Sequence, residues 1–148
     1  RFDTTQESVT VRQIDGIDYI YICLNENIVT EIPEGQGGIA VGTWQDMSDD
    51  FRLRFVAIML KCYFVNDKYI DKCLYAFEHM QDGGYYAKDG VAFGLAESYF
   101  VFPDKTIEYI KGAQFDRQIL EMTKNKIEKI YRLPEADVNR FAEVINEY

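Results

Sequence analysis

The residues best suited to chemistry in this sequence are one histidine, a few clustered carboxylates and a segment rich in glycine and tyrosine. His79 is the only histidine, which excludes zinc sites built from several histidines and leaves a cysteine–histidine pair as the one histidine-based nucleophile. No cysteine lies in a recognisable active-site context, and His79 falls near a predicted helix end, where an imidazole suits the dipole. A catalytic role for His79 is therefore disfavoured.

Two groups of acidic residues could act together. Asp46, Asp49 and Asp50 offer the carboxylate oxygens that Ca²⁺ and Mg²⁺ prefer, but they lack the spacing of a helix–loop–helix calcium site. Acids at a helix start also complement the helix dipole, which explains this group without a metal. The second group surrounds a predicted hairpin and consists of Glu97, Asp104 and Glu108. Its spacing fixes no two-carboxylate geometry, so no metal or cofactor is predicted.

The segment 83–102 is the strongest candidate for a ligand site. Its glycines permit close backbone approach, and its tyrosines can stack or form hydrogen bonds. It matches neither a Walker phosphate loop nor a dinucleotide fingerprint. The same residues are also typical of a structural turn with a short hairpin. A small-molecule site here predicts a pocket lined by Tyr85, Tyr86, Phe93 and Tyr99. The ligand-binding residues would be Tyr85, Tyr86, Asp89 and Tyr99.

Four β-rich segments occupy the N-terminal third, at residues 8–14, 17–24, 28–32 and 39–44. Asp15-Gly16 separates the first two, and this dipeptide between β-rich runs is a strong hairpin signal because a type I′ turn needs positive φ at both positions. The pattern predicts an antiparallel β-meander of about four strands.

Helical periodicity follows. A helix from about Asp50 to Val65, capped by Ser48 or Asp49, is apolar nearly all round and is predicted to be buried against the meander. A second helix extends to about Met80, a further hairpin is predicted near 98–110 around Pro103, and two amphipathic helices end the chain. The apolar stripes predicted to face inward on these three helices are Tyr69, Ile70, Cys73, Leu74 and Phe77; Phe115, Ile119, Met122, Ile127 and Ile130; and Val138, Phe141, Val144 and Ile145. We find no internal sequence repeat. Strands followed by helices indicate a single α+β domain over residues 1–148.

Charge is distributed unevenly along the chain. The first fifty residues hold ten acids and two bases, whereas the remaining residues hold fifteen acids and fourteen bases, so nearly all of the net charge of −9 lies in one third. Like charges held together present one negative surface. A pI near 4.6 disfavours direct nucleic-acid binding, and no apolar run reaches the roughly 18 to 20 residues of a membrane span. The three cysteines, without CxxC spacing, predict buried thiols in the cytoplasm.

These features favour a non-catalytic acidic interaction domain of inhibitor, immunity or adaptor type. It would present an acidic β-sheet surface to a protein partner with a basic surface. Of the acids without a local role in a turn or at a helix start, the predicted partner-binding residues are chiefly Asp18, Glu26, Glu31, Glu34 and Asp46. Two alternatives stay open: a small-molecule-binding domain or enzyme that uses the 83–102 region, and a structural subunit of a larger assembly. A homo-oligomer is compatible with all three.

Overall fold

The computed structural model describes the backbone of residues 9–14, 17–24, 27–33, 40–41 and 49–148, and the side chains of residues 50, 51 and 53–148. Ahead of the helices, the backbone of four strands is described: β1 (Val9–Ile14), β2 (Ile17–Leu24), β3 (Asn27–Pro33) and β4 (Ala40–Val41). They pair antiparallel in the order β1-β2-β3-β4, with an irregular register in β2 between Ile22 and Cys23. The predicted turn at Asp15-Gly16 lies outside the described residues.

Six helices form the rest of the described chain. They are α1 (Asp49–Tyr63), α2 (Ile70–Glu78), α3 (Tyr85–Val101), α4 (Pro103–Gly112), α5 (Arg117–Lys129) and α6 (Glu135–Asn146). The α+β prediction is wrong for this part of the molecule, because residues 49–148 contain no strand and the helices pack against one another. The described hydrophobic core extends from Val56 to Ile145, with contributions from all six helices.

The helices form three consecutive hairpins that lie side by side. The first helices of the hairpins, α1, α3 and α5, are parallel, since Asp50 near the start of α1 bonds the start of α3 and Tyr131 after α5 reaches Glu97 late in α3. The second helices, α2, α4 and α6, are also parallel. Asp71 and Lys105 pair at the starts of α2 and α4. Asp104 at the start of α4 pairs with Arg140 within α6, and the Ile110 carbonyl late in α4 accepts a hydrogen bond from Tyr148 just after α6. Helix starts recur every 32 to 36 residues. The molecule therefore has a structural repeat, of the kind found in stacked helical hairpins, without a sequence repeat.

The predicted hairpin near 98–110 is replaced by the end of α3 and the whole of α4. Pro103, which we interpreted as a turn residue, is instead the first residue of α4, where its missing N–H costs nothing and its fixed φ suits the helix. Ser98 stays within α3 and donates its hydroxyl hydrogen bond to the Gly94 carbonyl at 2.7 Å. The β-branched and aromatic residues of this stretch therefore belong to helices. Tyr99, Ile107 and Ile110 are buried, whereas Phe100 and Val101 are exposed.

The glycines of α3 explain why the 83–102 segment is a helix rather than a loop. A Cβ at Gly90 would lie 3.2 Å from the Cα of Arg54 and 3.3 Å from the Cβ of Ala57, so the glycine permits close packing of α3 on α1. A Cβ at Gly94 would overlap the Phe77 ring of α2. Glycine is usually a helix breaker, but close approach of a neighbouring element outweighs its low helix propensity.

Several predicted helix faces are confirmed and two assignments are corrected. The stripes Ile70, Cys73, Leu74 and Phe77 of α2 and Val138, Phe141, Val144 and Ile145 of α6 are buried. Cys62, which was predicted to be buried, is exposed. Ile130, which was predicted to face inward, lies just beyond α5 and is 55 % exposed. Helical periodicity assigns faces reliably within a helix and loses its meaning where the helix ends.

Candidate interaction site

An exposed cluster of three aromatic rings lies where α1 and α3 begin. The rings of Phe51 and Tyr86 stack with their centroids 5.1 Å apart, and Tyr85 meets Tyr86 edge-on at 6.1 Å. Phe51 is 47 %, Tyr85 65 % and Tyr86 52 % exposed. Exposed apolar side chains in mutual contact are typical of interaction surfaces, where aromatic residues are enriched. We refer to these three residues as the ring cluster.

The carboxylate of Asp50 fixes the start of α3 beneath the ring cluster. It accepts hydrogen bonds from the backbone N–H groups of Tyr86 at 3.2 Å and of Ala87 at 3.0 Å. The first N–H groups of a helix have no partner within the helix, and α3 has no side-chain cap of its own, so a side chain from α1 supplies the missing acceptor. A Cβ at Gly84 would lie 3.1 Å from the Asp50 carboxyl carbon, which explains the glycine.

A charged network joins α1, α3 and α5 one turn below. Asp89 of α3 contacts Arg54 of α1 at 2.6 Å and Lys126 of α5 at 2.7 Å. Arg54 also donates to the Tyr86 carbonyl at 3.3 Å, and the Lys126 ammonium lies 3.7 Å from the centroid of the Phe93 ring. Burial raises the pKa of Asp89, but hydrogen bonds from Lys126 and Arg54 outweigh it, so this pKa lies below its usual value. The network thus connects the first turns of α3, which carry Tyr85 and Tyr86, to both α1 and α5.

The four residues predicted to bind a ligand are placed in three different environments. Tyr85 and Tyr86 are exposed in the first turn of α3, and Asp89 belongs to the charged network. Tyr99 is buried, with its ring edge-on to Phe141 at 5.2 Å and its hydroxyl donating to the Asp137 carbonyl at 2.7 Å. Fourteen helical residues separate Tyr85 from Tyr99, about 21 Å along the axis. The structure therefore does not bring these four side chains together.

A concave groove lies elsewhere, between α2 and α4. Its volume is about 490 Å³ and its lining includes Asp71, Glu78, Lys105 and Tyr109. Glu78 accepts hydrogen bonds from the Tyr109 hydroxyl at 2.7 Å and from the Gln114 N–H at 2.8 Å, and Asp71 pairs with Lys105. These polar groups satisfy one another, so the groove offers a ligand few unengaged partners.

The nucleophilic chemistry considered from sequence has no geometric support in the described residues. Cys73 is buried and its thiol donates to the Phe64 carbonyl at 3.2 Å, while burial raises its pKa to about 12. His79 stacks on Tyr75 with ring centroids 4.0 Å apart, and its Nδ1 lies 2.7 Å from the Tyr75 carbonyl oxygen. Among residues whose side chains are described, no group of three or more His, Cys, Asp or Glu could hold a metal ion.

The predicted acidic surface cannot be placed side chain by side chain. The side chains of Asp18 and Glu31 lie outside the described set, although both residues belong to strands, and Glu26, Glu34 and Asp46 lie outside the described residues altogether. Asp50 lies at the start of α1, as the sequence predicts, and its carboxylate in addition accepts hydrogen bonds from the first turn of α3. Sequence reasoning missed the pairing of Phe51 with Tyr86, since only the fold brings two residues 35 positions apart into contact.

No described helix has both the length and the apolar character needed to cross a membrane. Comparison with known proteins gives no matching family model, no matching curated protein and no matching solved structure. The function must therefore be argued from the surfaces of the molecule itself.

Proposed function

We propose that this chain is a non-catalytic interaction domain that binds a protein partner with a basic surface. The observation that carries the proposal is the ring cluster, in which Tyr85 and Tyr86 are more than half exposed although they contact each other. Apolar surface in water is unfavourable, and tyrosine is enriched at protein–protein interfaces because it combines a large ring with a polar hydroxyl.

The charges around the ring cluster favour a basic partner. Asp50 lies directly beneath Tyr86, and Asp82 is exposed just before α3. Two cations of α1 and α3 whose side chains the structure describes, Arg54 and Lys88, are paired with Asp89 and Asp116. The excess of acids in the first fifty residues adjoins this edge in sequence. An acidic rim around aromatic rings suits arginine and lysine side chains, which stack on ring faces and pair with carboxylates.

The proposal keeps the five acidic residues Asp18, Glu26, Glu31, Glu34 and Asp46 as the electrostatic part of the surface. Two cysteine thiols, exposed Cys62 and buried Cys73, are free, which supports a reducing compartment such as the cytoplasm. The exposed rings favour an interaction domain over the alternative of a small-molecule site, for which the proposed residues are about 21 Å apart along α3.

The proposal is tested by affinity capture from an extract of the source cells, with captured proteins quantified by mass spectrometry. The baits are the wild-type chain, Tyr85→Ala/Tyr86→Ala, and a variant in which the five acidic residues become amides. Tyr75→Ala, which removes an exposed ring on α2, is the matched control. We expect the wild type and the control to capture the same basic proteins and the two test baits to lose them.

Salt provides the second measurement. Raising the ionic strength from about 0.05 M to about 0.5 M shortens the Debye length to a few ångströms and should weaken the capture of a basic partner. The proposal would be contradicted if the captured proteins were the same with the wild type and with Tyr85→Ala/Tyr86→Ala, and the same at low and high ionic strength.

A further inference from the structure

A second exposed apolar surface lies at the opposite end of α3. Phe100 and Val101 close α3 and are 53 % and 44 % exposed, and Ile130 directly follows α5 and is 55 % exposed. The ring of Tyr131 contacts that of Phe100, with centroids 5.5 Å apart. This contact joins the ends of α3 and α5 into one surface, which we call the end patch: Phe100, Val101, Ile130 and Tyr131.

The end patch is held in place before any partner arrives. The Tyr131 hydroxyl donates a hydrogen bond to the Glu97 carboxylate at 2.9 Å. Burial raises the pKa of Tyr131, and the Glu97 carboxylate raises it further, so the hydroxyl keeps its proton and the hydrogen bond persists across the physiological range. Fixing these side chains in advance reduces the entropy lost on binding.

The charges beside the end patch have the opposite sign to those beside the ring cluster. Lys129 is 67 % exposed, and its distance to Glu128, 3.9 Å, is long for an ion pair. Arg132 is exposed and forms no ion pair with a residue whose side chain the structure describes. The Glu97 carboxylate already accepts a hydrogen bond from the Tyr131 hydroxyl. Glu128, whose side chain is half exposed, offsets part of the Lys129 charge, so the uncompensated charge beside the end patch is that of Arg132, with Lys129 held only at long range.

Arg132 also adopts a backbone conformation that does not suit it. Its φ of 50° is in the left-handed region, and it is the only described residue other than glycine with a positive φ. The following residue, Leu133, donates its N–H to the Ile127 carbonyl at 3.1 Å, which fixes the turn after α5. Glycine is the usual residue at such a helix end because a Cβ crowds the backbone there. Retaining arginine at this position is explained by a use for its side chain outside the fold.

We propose that the end patch binds an acidic amphipathic segment of a partner protein. Apolar side chains of that segment would cover Phe100 and Ile130, and its carboxylates would pair with Lys129 and Arg132. The end patch is separate from the ring cluster, and this proposal does not depend on the function proposed for the ring cluster. The two surfaces lie about 24 Å apart along α3, so a chain that uses both is an adaptor between a basic and an acidic partner.

A display selection tests the chemistry of the partner directly. A library of random peptides is selected on the wild-type chain and depleted on Phe100→Ala/Ile130→Ala, whose truncated side chains are both mainly exposed, so the fold is kept. Circular dichroism and thermal melting check that fold. We expect enriched peptides with apolar residues at helical spacing and an excess of Asp and Glu. No enrichment over the double variant, or enriched peptides without that acidic excess, overturns the proposal.

Arg132 variants then separate binding from stability. Arg132→Gly should melt at a higher temperature than the wild type and yet bind the selected peptides about fivefold to tenfold more weakly, because strain and a charge contact disappear together. Arg132→Lys should bind within about twofold of the wild type. Unchanged affinity in Arg132→Gly overturns the role assigned to Arg132.

Two controls identify the surface and its occupant. Tyr85→Ala/Tyr86→Ala should bind the selected peptides as tightly as the wild type, since it alters the other end of α3. Equal loss in that variant would contradict a separate site. Sedimentation equilibrium of the wild type should show a monomer, and a dimer abolished by Phe100→Ala/Ile130→Ala would make a second copy of the chain the occupant and overturn the proposal.

Discussion

The two ends of α3 differ from its middle in a way that separates stability from recognition. The middle is locked by close packing and charge: Gly90 approaches Arg54, Gly94 leaves room for the Phe77 ring, and Asp89 bonds two cations. Both ends expose aromatic rings to solvent, at Tyr85 and at Phe100. The same residue types thus occur in the core and on the surface of one helix. The elements that pack against α3 decide which of its side chains are buried and which are exposed.

The ends also differ from each other. Among the described side chains, Asp50 and Asp82 lie at the start of α3, whereas Lys129 and Arg132 lie beside its end. Charge beside an exposed apolar surface steers association and selects partners more than it adds affinity. This difference is why we propose two surfaces with two kinds of partner rather than one continuous interface.

The largest expected effect contrasts a buried tyrosine of α3 with an exposed one. Tyr99→Ala should lower the free energy of unfolding by about 4 kcal/mol, since it leaves a cavity beside Phe141 and removes the hydrogen bond to the Asp137 carbonyl. Tyr85→Ala should change it by less than about 0.5 kcal/mol because its ring is exposed. Urea unfolding measures both. Similar losses in the two variants would show that the ring cluster is part of the core.

The second effect concerns the charged network. Asp89→Asn leaves the Lys126 ammonium, only 8 % exposed, without its anion and should cost about 2 to 3 kcal/mol. The matched control is Asp71→Asn, which breaks the exposed pair with Lys105 and should cost less than about 1 kcal/mol. Urea unfolding near neutral pH measures the difference.

The same network sets a pH dependence with a defined sign. The pKa of Asp89 is lowered in the folded protein, so its contribution to stability is present above the unfolded pKa of about 3.9 and is lost as pH falls through the folded value. The gap between the wild type and Asp89→Asn should therefore be widest at neutral pH and shrink below about pH 4. A gap that is constant with pH would mean that the ionised carboxylate is unimportant.

A smaller effect tests how the ring cluster is supported. Asp50→Ala removes the acceptor for the Tyr86 and Ala87 N–H groups and should cost about 1 kcal/mol, as loss of a helix cap usually does. Hydrogen exchange at these two amides should accelerate. Asp82→Ala is the control, because Asp82 is exposed and close in sequence. Unchanged exchange in Asp50→Ala would show that α3 does not depend on this cap.

The smallest effect has the opposite sign. Arg132→Gly relieves the left-handed conformation but makes the unfolded chain more flexible, so we expect a net gain of only about 0.5 kcal/mol. Arg132→Ala keeps the Cβ and the strain and should show no gain. Thermal unfolding of the two variants side by side measures the difference. Stabilisation by alanine equal to that by glycine would place the cause in the arginine side chain rather than in the backbone.

Part of the fold and little of the site could be predicted from the sequence. The buried stripes of α2 and α6 follow from spacing alone, because an isolated helix with one apolar face can bury only that face. The segment 83–112 was misread because glycine and proline were taken as turn signals. Gly90 and Gly94 are glycines because a neighbouring helix packs too close for a side chain. Pro103 begins a helix rather than a turn.

The sequence by itself determined the uneven charge, the lack of a catalytic signature and the positions of several amphipathic helices, since these depend on residue type and local spacing. Only the tertiary structure decided that α1 and α3 meet at their starts, that Asp50 caps a helix 36 residues away, and that Phe100 and Tyr131 form one surface. Contacts between distant segments arise from packing, and residue spacing along the chain carries no information about which helix will cover which face.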